Sequence, residues 1–187
     1  MAQKPDSSQR LAEAREGFYA VPTVPFNVHL GIVFGREPSG EPRISLPPKP
    51  EISGPDGQHS VAAVYTLGDV ASAVKACDAI WPRAAEMGMI PLLLTTWARF
   101  RPHGPARGTI RAVTSLAGDL EKTMATGSRK ATIEIAAELV GEDGAGVGEY
   151  QTRIYARLME RSRAQALAAS ASDIVELSPG VADLMRP

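Results

Sequence analysis

Asp69 is the residue whose type and position in this chain most strongly suggest chemistry. It lies in the one long apolar stretch with the period of a helix, from about residue 57 to Pro82. Six apolar residues recur there at steps of three and four and should form one buried stripe: Ala63, Leu67, Val70, Val74, Cys77 and Trp81. The opposite face carries mostly small residues, so another backbone or a ligand can come close to it. From the pattern alone, Asp69 is either a solvated aspartate on that face or a functional carboxylate.

The other reactive side chains are scattered. Three histidines and one cysteine have no spacing typical of a metal site, so we expect no bound metal. His59 directly precedes the helix and can be interpreted either as a residue that hydrogen-bonds the backbone or as a catalytic residue; the first is favoured. Ser60 is better suited to cap the helix than to act as a nucleophile, because no histidine–acid relay accompanies it. The glycine-rich residues 141–148 lack a lysine and indicate a hairpin turn rather than a phosphate loop.

The composition of the chain argues against some classes of partner. The chain has 187 residues, 44% of them hydrophobic, which suits one domain with a normal core. Twenty basic and 21 acidic residues give a net charge of -1, so no broad field attracts nucleic acid or an anionic membrane. The polar N-terminus has no signal-peptide core, and no apolar run is long enough to cross a bilayer. We therefore expect a cytoplasmic protein without nucleic-acid or membrane partners.

The order of predicted elements indicates an α+β fold. The alternation of Leu30, Ile32 and Phe34 predicts a first strand from Phe26, and the long helix should end near Pro82. Further strands are predicted at 42–46, 92–101, 108–117, around Lys122, at 130–140 and at 150–158, and short helices at 7–19 and 161–172. A curved antiparallel sheet wrapped around one central helix accommodates this pattern. We divide the chain into an N-terminal extension (1–25), a main domain (26–160) and a C-terminal tail (161–187).

Three short motifs, in this order and spacing, resemble the hotdog-fold acyl-CoA thioesterases, particularly the phenylacetate-pathway type. They are Leu30-Gly31-Ile32, the run from Gly57 to Leu67-Gly68-Asp69, and Phe100-Arg101-Pro102 before Gly108. The resemblance covers residues 26–158 and implies a hotdog fold, an acyl-CoA-like substrate, no cofactor, and a homodimer or a tetramer. The small-residue helix face also favours a dimer, since a monomer would leave it as an exposed groove.

The resemblance also assigns roles to residues around the helix. It implies that Asp69 acts as a general base or nucleophile and that a backbone N–H of Val61 or Ala62 polarises the thioester carbonyl. Matching members usually begin this helix with His-Gly-Gly, where this chain has Ser60-Val61-Ala62, and His59 lies one residue earlier as a second catalytic candidate.

The remaining candidate residues are expected to bind substrate. They are Gly57, Ser60, Val61, Ala62 and Arg101, the arginine as a partner for a CoA phosphate. Because His-Gly-Gly is missing, the alternative function is a non-catalytic hotdog protein that binds an acyl or aromatic ligand. A hydratase or dehydratase is a weaker third hypothesis, since the paired acid and histidine of those relatives are not visible at the start of the helix.

Overall fold

A computed structural model of the chain describes residues 25–118, 128–160 and 162. The long helix is preceded by one short helix and two short strands and followed by four longer strands. In chain order these elements are α1 (Pro25–Leu30), β1 (Val33–Arg36), β2 (Pro42–Leu46), α2 (Val61–Glu86), β3 (Met89–Pro102), β4 (Ile110–Leu116), β5 (Lys130–Val140) and β6 (Gly146–Glu160). A 3-10 turn, Pro50–Ile52, lies between β2 and α2.

The six strands form one antiparallel sheet in the order β1-β2-β4-β5-β6-β3. Helix α2 crosses its concave face, and the core fills the space between them. The strand predicted at 130–140 is confirmed as β5, in which Ile133, Ile135 and Leu139 are buried while Glu134 and Glu138 are exposed. The predicted architecture, a curved sheet around a central helix, is therefore correct.

Helix α2 forms as the apolar period predicts, and all six residues of the stripe are buried. Its end differs from the prediction, because the helix passes through Pro82 and continues to Glu86. Proline removes one backbone hydrogen bond, but Ala84, one turn beyond Ile80, is fully buried in the same cluster. The chain leaves the helix only at Gly88, whose φ of 64° suits glycine.

The first strand begins later than predicted. Residues 25–30 form helix α1 instead of extended chain, and Gly31, with a φ of 74°, turns the backbone into β1. Leu30 and Ile32 are both buried, but they lie at a helix end and in the following turn. Alternate burial over so few residues fits a helix end as well as a strand, so the period alone could not distinguish the two. The predicted strand near Lys122 and the helices at 7–19 and 161–172 lie outside the described residues.

Helix α2 approaches the sheet closely at Gly68. A Cβ atom added there would lie 2.6 Å from Cγ of Tyr150 on β6, closer than van der Waals contact permits. Glycine inside a helix normally lowers stability relative to alanine, so its presence is explained by this contact with the aromatic ring.

We expect Gly68→Ala to lower the free energy of unfolding by about 1–3 kcal/mol, because the new methyl group forces Tyr150 or the helix to move. Gly146→Ala is the control, since nothing lies within 4 Å of a Cβ added at that strand position. Denaturant unfolding of both variants measures the difference. A Gly68→Ala protein as stable as the control, or more stable as helix propensity alone predicts, would contradict the close approach.

Candidate functional site

Asp69 is fixed at the meeting point of α2, β3 and β6. Its Oδ1 atom accepts a hydrogen bond of 2.9 Å from the Tyr150 hydroxyl on β6 and one of 3.2 Å from Thr95 Oγ1 on β3. In the described part of the chain, Oδ2 receives no hydrogen bond. The carboxylate is half-buried, so one oxygen is anchored by the protein and the other is available to a ligand.

Of the two residues that donate to Asp69, Tyr150 is more deeply buried than Thr95. Its side chain is fully buried, and its ring contacts that of Tyr65 edge-to-face, with ring centroids 5.1 Å apart. Burial raises the pKa of Tyr150 far above its ordinary value, with smaller contributions from Tyr65 and the nearby Asp69 carboxylate. The hydroxyl therefore stays protonated across the working pH range and remains a donor to Asp69.

The start of helix α2 presents two unused backbone donors. Ser60 is the N-cap, as predicted, and its hydroxyl accepts a hydrogen bond of 3.2 Å from the N–H of Ala63. The N–H groups of Val61 and Ala62 have no protein acceptor among the described residues, as expected for the first turn of a helix. Both residues are exposed, so these donors and the positive end of the helix dipole can meet an anionic oxygen.

Within one chain, these donors and Asp69 lie too far apart to act on the same carbonyl group. Asp69 follows Val61 by eight residues. At about 1.5 Å per residue, their backbones are separated by about 12 Å along the helix axis. The aspartate side chain is much too short to close that gap.

His59 lies beneath the helix start rather than beside Asp69. Its ring is only 5% exposed, and its Nε2 lies 2.7 Å from the carbonyl oxygen of Gly108. Because a carbonyl can only accept, Nε2 carries the proton, and Nδ1 accepts from the Ser53 hydroxyl at 3.3 Å. The His59 N–H also donates to the Ala106 carbonyl at 2.8 Å. These bonds match the predicted backbone-bonding role and join the loop before α2 to the segment before β4.

Gly57 lies in the exposed turn that leads to the helix. It has a φ of 76°, and its N–H donates to the Gly54 carbonyl at 2.9 Å. Next to it, Asp56 accepts hydrogen bonds from the backbone and side chain of Gln58. The backbone hydrogen bond from Gln58 is the main reason that the pKa of Asp56 is lowered, and Arg107 contributes less. Gly57 therefore shapes the approach to the helix start.

Arg101 lies on the other face of the sheet from Asp69. Its neighbour Phe100 pairs with the buried Tyr150, whereas Arg101 pairs with the exposed Glu149. Because adjacent strand residues point to opposite faces, Arg101 points away from α2. With Arg99, Glu149 and Gln151 it lines a shallow cleft of about 60 Å³. The structure thus separates Arg101 from the other candidate residues.

Two residues of the site were not recognised from the sequence. Tyr150 and Thr95 were identified only as strand residues, and nothing local marks them as partners of Asp69. Gly68 was the one available signal, since a glycine inside a helix next to a carboxylate indicates close approach of another group. Within the described ranges, no group of three metal-binding side chains occurs, and no helix has the length and hydropathy needed to cross a membrane.

We expect His59→Ala to lower the free energy of unfolding by about 1–3 kcal/mol, because it removes a buried side chain and leaves the partly buried Gly108 carbonyl without its donor. His103→Ala is the matched control, since that side chain is exposed and lies 3.8 Å from Glu149; it should change stability by less than about 0.5 kcal/mol. Chemical denaturation measures both. If both substitutions lowered the free energy of unfolding equally, His59 would not be holding the loop before α2 to the segment before β4.

No protein-family model and no curated protein matches this chain. Solved structures do resemble it. A mutant thioesterase from Pseudomonas aeruginosa superposes with a TM-score of 0.59 at 16% identity, covering 84% of this chain and 97% of that chain. The PaaI protein of E. coli, from the phenylacetic acid degradation operon, gives a TM-score of 0.54 at 12% identity, covering 82% and 96%.

A third similar structure is a protein from Bacillus halodurans solved with CoA. Its TM-score is 0.54 at 13% identity, and the match covers 82% of this chain and 93% of that one. At such identities the likeness concerns the backbone, and in all three cases it includes nearly the whole of the other chain. Together with the six-stranded sheet and the long helix of the described residues, it shows that this chain has the hotdog fold of these structures.

Proposed function

We propose that this protein hydrolyses an acyl-CoA-like thioester, with Asp69 as the general base or nucleophile and the start of α2 as the oxyanion site. The observation that carries the proposal is how the two oxygens of the Asp69 carboxylate are hydrogen-bonded. Tyr150 and Thr95 hold one oxygen in place, and the second oxygen receives no hydrogen bond from the described residues. A carboxylate fixed in this way loses little freedom when it meets a substrate.

Both routes use the free oxygen. As a base, Oδ2 takes a proton from water while the water oxygen attacks the thioester carbonyl carbon. As a nucleophile, Oδ2 attacks that carbon itself and forms an acyl anhydride, which water then hydrolyses. In either route the C–S bond breaks, a proton reaches the thiolate sulfur, and negative charge builds on the carbonyl oxygen. The free N–H groups of Val61 and Ala62 are suited to stabilise that charge.

The proposal requires two copies of the chain. The separation of about 12 Å prevents one α2 helix from supplying both the oxyanion donors and Asp69, so a partner's helix start must lie near the carboxylate. Strand β3 is an edge of the sheet among the described strands and carries three exposed apolar side chains, Leu92, Leu94 and Trp97. Such an edge is suited to pair with a second chain. Thr95, on the same strand, contacts Asp69, so pairing there brings a partner close to the carboxylate.

The acyl group would lie along the exposed part of the helix face before Asp69. Val61 and Tyr65 are apolar and exposed on that face, and Ala62 leaves room between them. A thioester of CoA is the natural class, since one protein with this fold was solved with CoA. His59 and Arg101 are left out of the proposed machinery, because His59 is engaged by Ser53 and Gly108 and Arg101 lies on the outer face.

One observation favours the alternative of a non-catalytic ligand-binding protein. Ser60 stands where the resemblance implies a histidine, and the nearby His59 ring already uses both nitrogens inside the protein. If the missing histidine is essential for turnover, the same helix face would bind an acyl or aromatic ligand without cleaving it. Measured turnover separates these two functions.

We expect Asp69→Asn to reduce thioester hydrolysis by about 10²–10⁴-fold, because an amide can neither accept the proton nor attack the carbonyl. Release of free thiol from short, long and aromatic acyl-CoA substrates measures the loss. Glu134→Gln is the control, since that carboxylate binds Arg153 on the far face of the sheet; it should retain full activity. Saturable ligand binding by the wild type with no turnover of any substrate would favour the non-catalytic alternative.

The β3 edge can be tested separately. Wild-type protein should have at least twice the 19.8 kDa mass of one chain in solution. A double variant, Leu94→Glu with Trp97→Glu, should shift it to a monomer, because like charges then meet in the paired edge. Activity should fall with the dimer.

Val113→Glu is the matched control, since Val113 is exposed on the inner strand β4. It should leave mass and activity unchanged. Light scattering after size-exclusion chromatography reads the mass, and an active monomeric double variant would overturn the two-chain site.

A further inference from the structure

The outer face of strands β3 and β6, which points away from α2, carries an apolar patch. Leu92, Leu94 and Trp97 on β3 are 48%, 60% and 47% exposed. The strand register places Leu94 directly opposite the half-buried Tyr155 on β6, and residues opposite each other point to the same face of a sheet. These four large side chains therefore adjoin on one surface. A contiguous apolar patch of this kind marks an interaction site.

Basic side chains border the patch. Arg157 on β6 lies opposite both Leu92 on β3 and Lys130 on β5, so the two cations lie beside the apolar residues on the same face. Both are exposed, and neither side chain has an ion-pair or hydrogen-bond partner among the described residues. The next outward residue of β6, Arg153, instead binds Glu134 at 2.8 Å. Two neighbouring cations without a carboxylate favour an acidic occupant for the patch.

The same charges argue against a second copy of this face as the occupant. Two outer faces packed together would bring Arg157 and Lys130 of one chain toward the same cations of the other. Like charges brought together in an interface are unfavourable. The occupant that fits is therefore apolar and carries carboxylates of its own.

One segment of the C-terminal tail has this composition. Residues 173–177 are Asp-Ile-Val-Glu-Leu, with three aliphatic side chains, two carboxylates and no basic residue. They lie outside the described part of the chain. Before them, β6 ends at Glu160, opposite Met89 at the start of β3, so the chain leaves the sheet beside the patch. Residues 1–24 instead join α1, next to β1 at the opposite edge of the sheet.

The length of chain between β6 and this segment matches the distance to the patch. Leu92 and Trp97 lie three and eight residues along β3 from Met89, about 10 Å and about 26 Å at about 3.3 Å per residue. Residues 161–172 would span about 40 Å as an extended chain and about 18 Å as a helix. Residues 173–177 can reach the patch in either case.

We propose that residues 173–177 bind across the outer face of β3 and β6. The aliphatic side chains of the segment cover the apolar patch, and its two carboxylates pair with Arg157 and Lys130. This face lies on the other side of the sheet from Asp69, so the inference does not rest on the proposed thioesterase function. The backbone groups along the β3 edge point sideways in the plane of the sheet, and they remain available to a second chain.

Trp97 provides a direct probe of the patch in the full-length protein. The chain has two tryptophans, and the other, Trp81, is only 6% exposed. Trp97→Phe gives the fluorescence of Trp81 alone, which is subtracted. Quenching of the remaining fluorescence by acrylamide then measures how accessible Trp97 is.

The first test removes the aliphatic side chains of the segment. Ile174→Ser with Leu177→Ser should raise the Stern–Volmer quenching constant of Trp97 about twofold or more, because the apolar contacts of the segment are lost. Val181→Ser with Leu184→Ser is the matched control, since it removes two aliphatic side chains of the same tail outside the segment. It should leave the quenching constant unchanged. Equal quenching of the wild type and both variants would overturn the proposal.

The second test reverses charges without removing an aliphatic side chain. Lys130→Glu with Arg157→Glu should also raise the quenching constant of Trp97, and adding Asp173→Lys and Glu176→Lys should restore the wild-type value. Arg43→Glu is the control, because Arg43 is exposed on β2, three strands away from β6, and it should change nothing. If the combined variant did not regain protection of Trp97, the pairing of the tail with these cations would be wrong.

Two other outcomes would assign the patch to a different occupant. If quenching of the wild type falls as protein concentration rises, and the tail substitutions have no effect, a second copy covers the patch. If vesicles of phosphatidylcholine and phosphatidylserine protect Trp97 of the wild type from acrylamide, the patch is open and binds an anionic membrane. Either result would overturn the tail as the occupant.

Discussion

The contact between helix α2 and strand β6 at Gly68 and Tyr150 is the constraint on which the site depends. The ring of Tyr150 lies directly against the helix backbone, in space that any side chain at position 68 would fill. This approach lets the Tyr150 hydroxyl reach Asp69 on the neighbouring position of the helix. Burial of the ring keeps that hydroxyl protonated. One packing contact therefore fixes the distance between helix and sheet and the orientation of the carboxylate.

The start of the helix is fixed by different interactions. His59 joins the preceding loop to the segment before β4 through Nε2, which bonds to the Gly108 carbonyl, and through its own N–H, which donates to Ala106, while Nδ1 accepts from Ser53 within the loop. Ser60 then caps the helix by accepting from Ala63. None of these hydrogen bonds uses the N–H groups of Val61 and Ala62, which have no acceptor among the described residues. His59, a second catalytic candidate from the sequence, has both ring nitrogens engaged within the protein, and the positive end of the helix dipole lies at the surface.

The geometry of α2 explains why a thioesterase site on this fold would be shared between chains. The oxyanion donors and the carboxylate sit about two helical turns apart, a distance that no side-chain rotation closes. The first turn of α2 and Asp69 lie on the helix face that carries small and exposed residues. Asp69 also contacts β3, the strand at the edge of the described sheet. Under the proposed function, a second copy of the chain would account both for the apolar edge and for the separation of the two groups along the helix.

The sequence by itself determined the elements whose residues repeat with a clear local period. Neighbouring residues predict the stripe of α2, the strands β2, β5 and β6, and the cap at Ser60. They also mark Asp69 as the carboxylate to explain. The period was too short to identify α1, and the proline rule failed at Pro82 because tertiary burial of Ala84 outweighed one lost hydrogen bond. Only the tertiary structure decided that Tyr150 and Thr95 hold Asp69 and that His59 binds Ser53 and Gly108. Strand register also placed Arg101 on the outer face, away from the residues with which its motif had associated it. These facts depend on contacts between residues up to 81 positions apart, and no local pattern along the chain encodes such contacts.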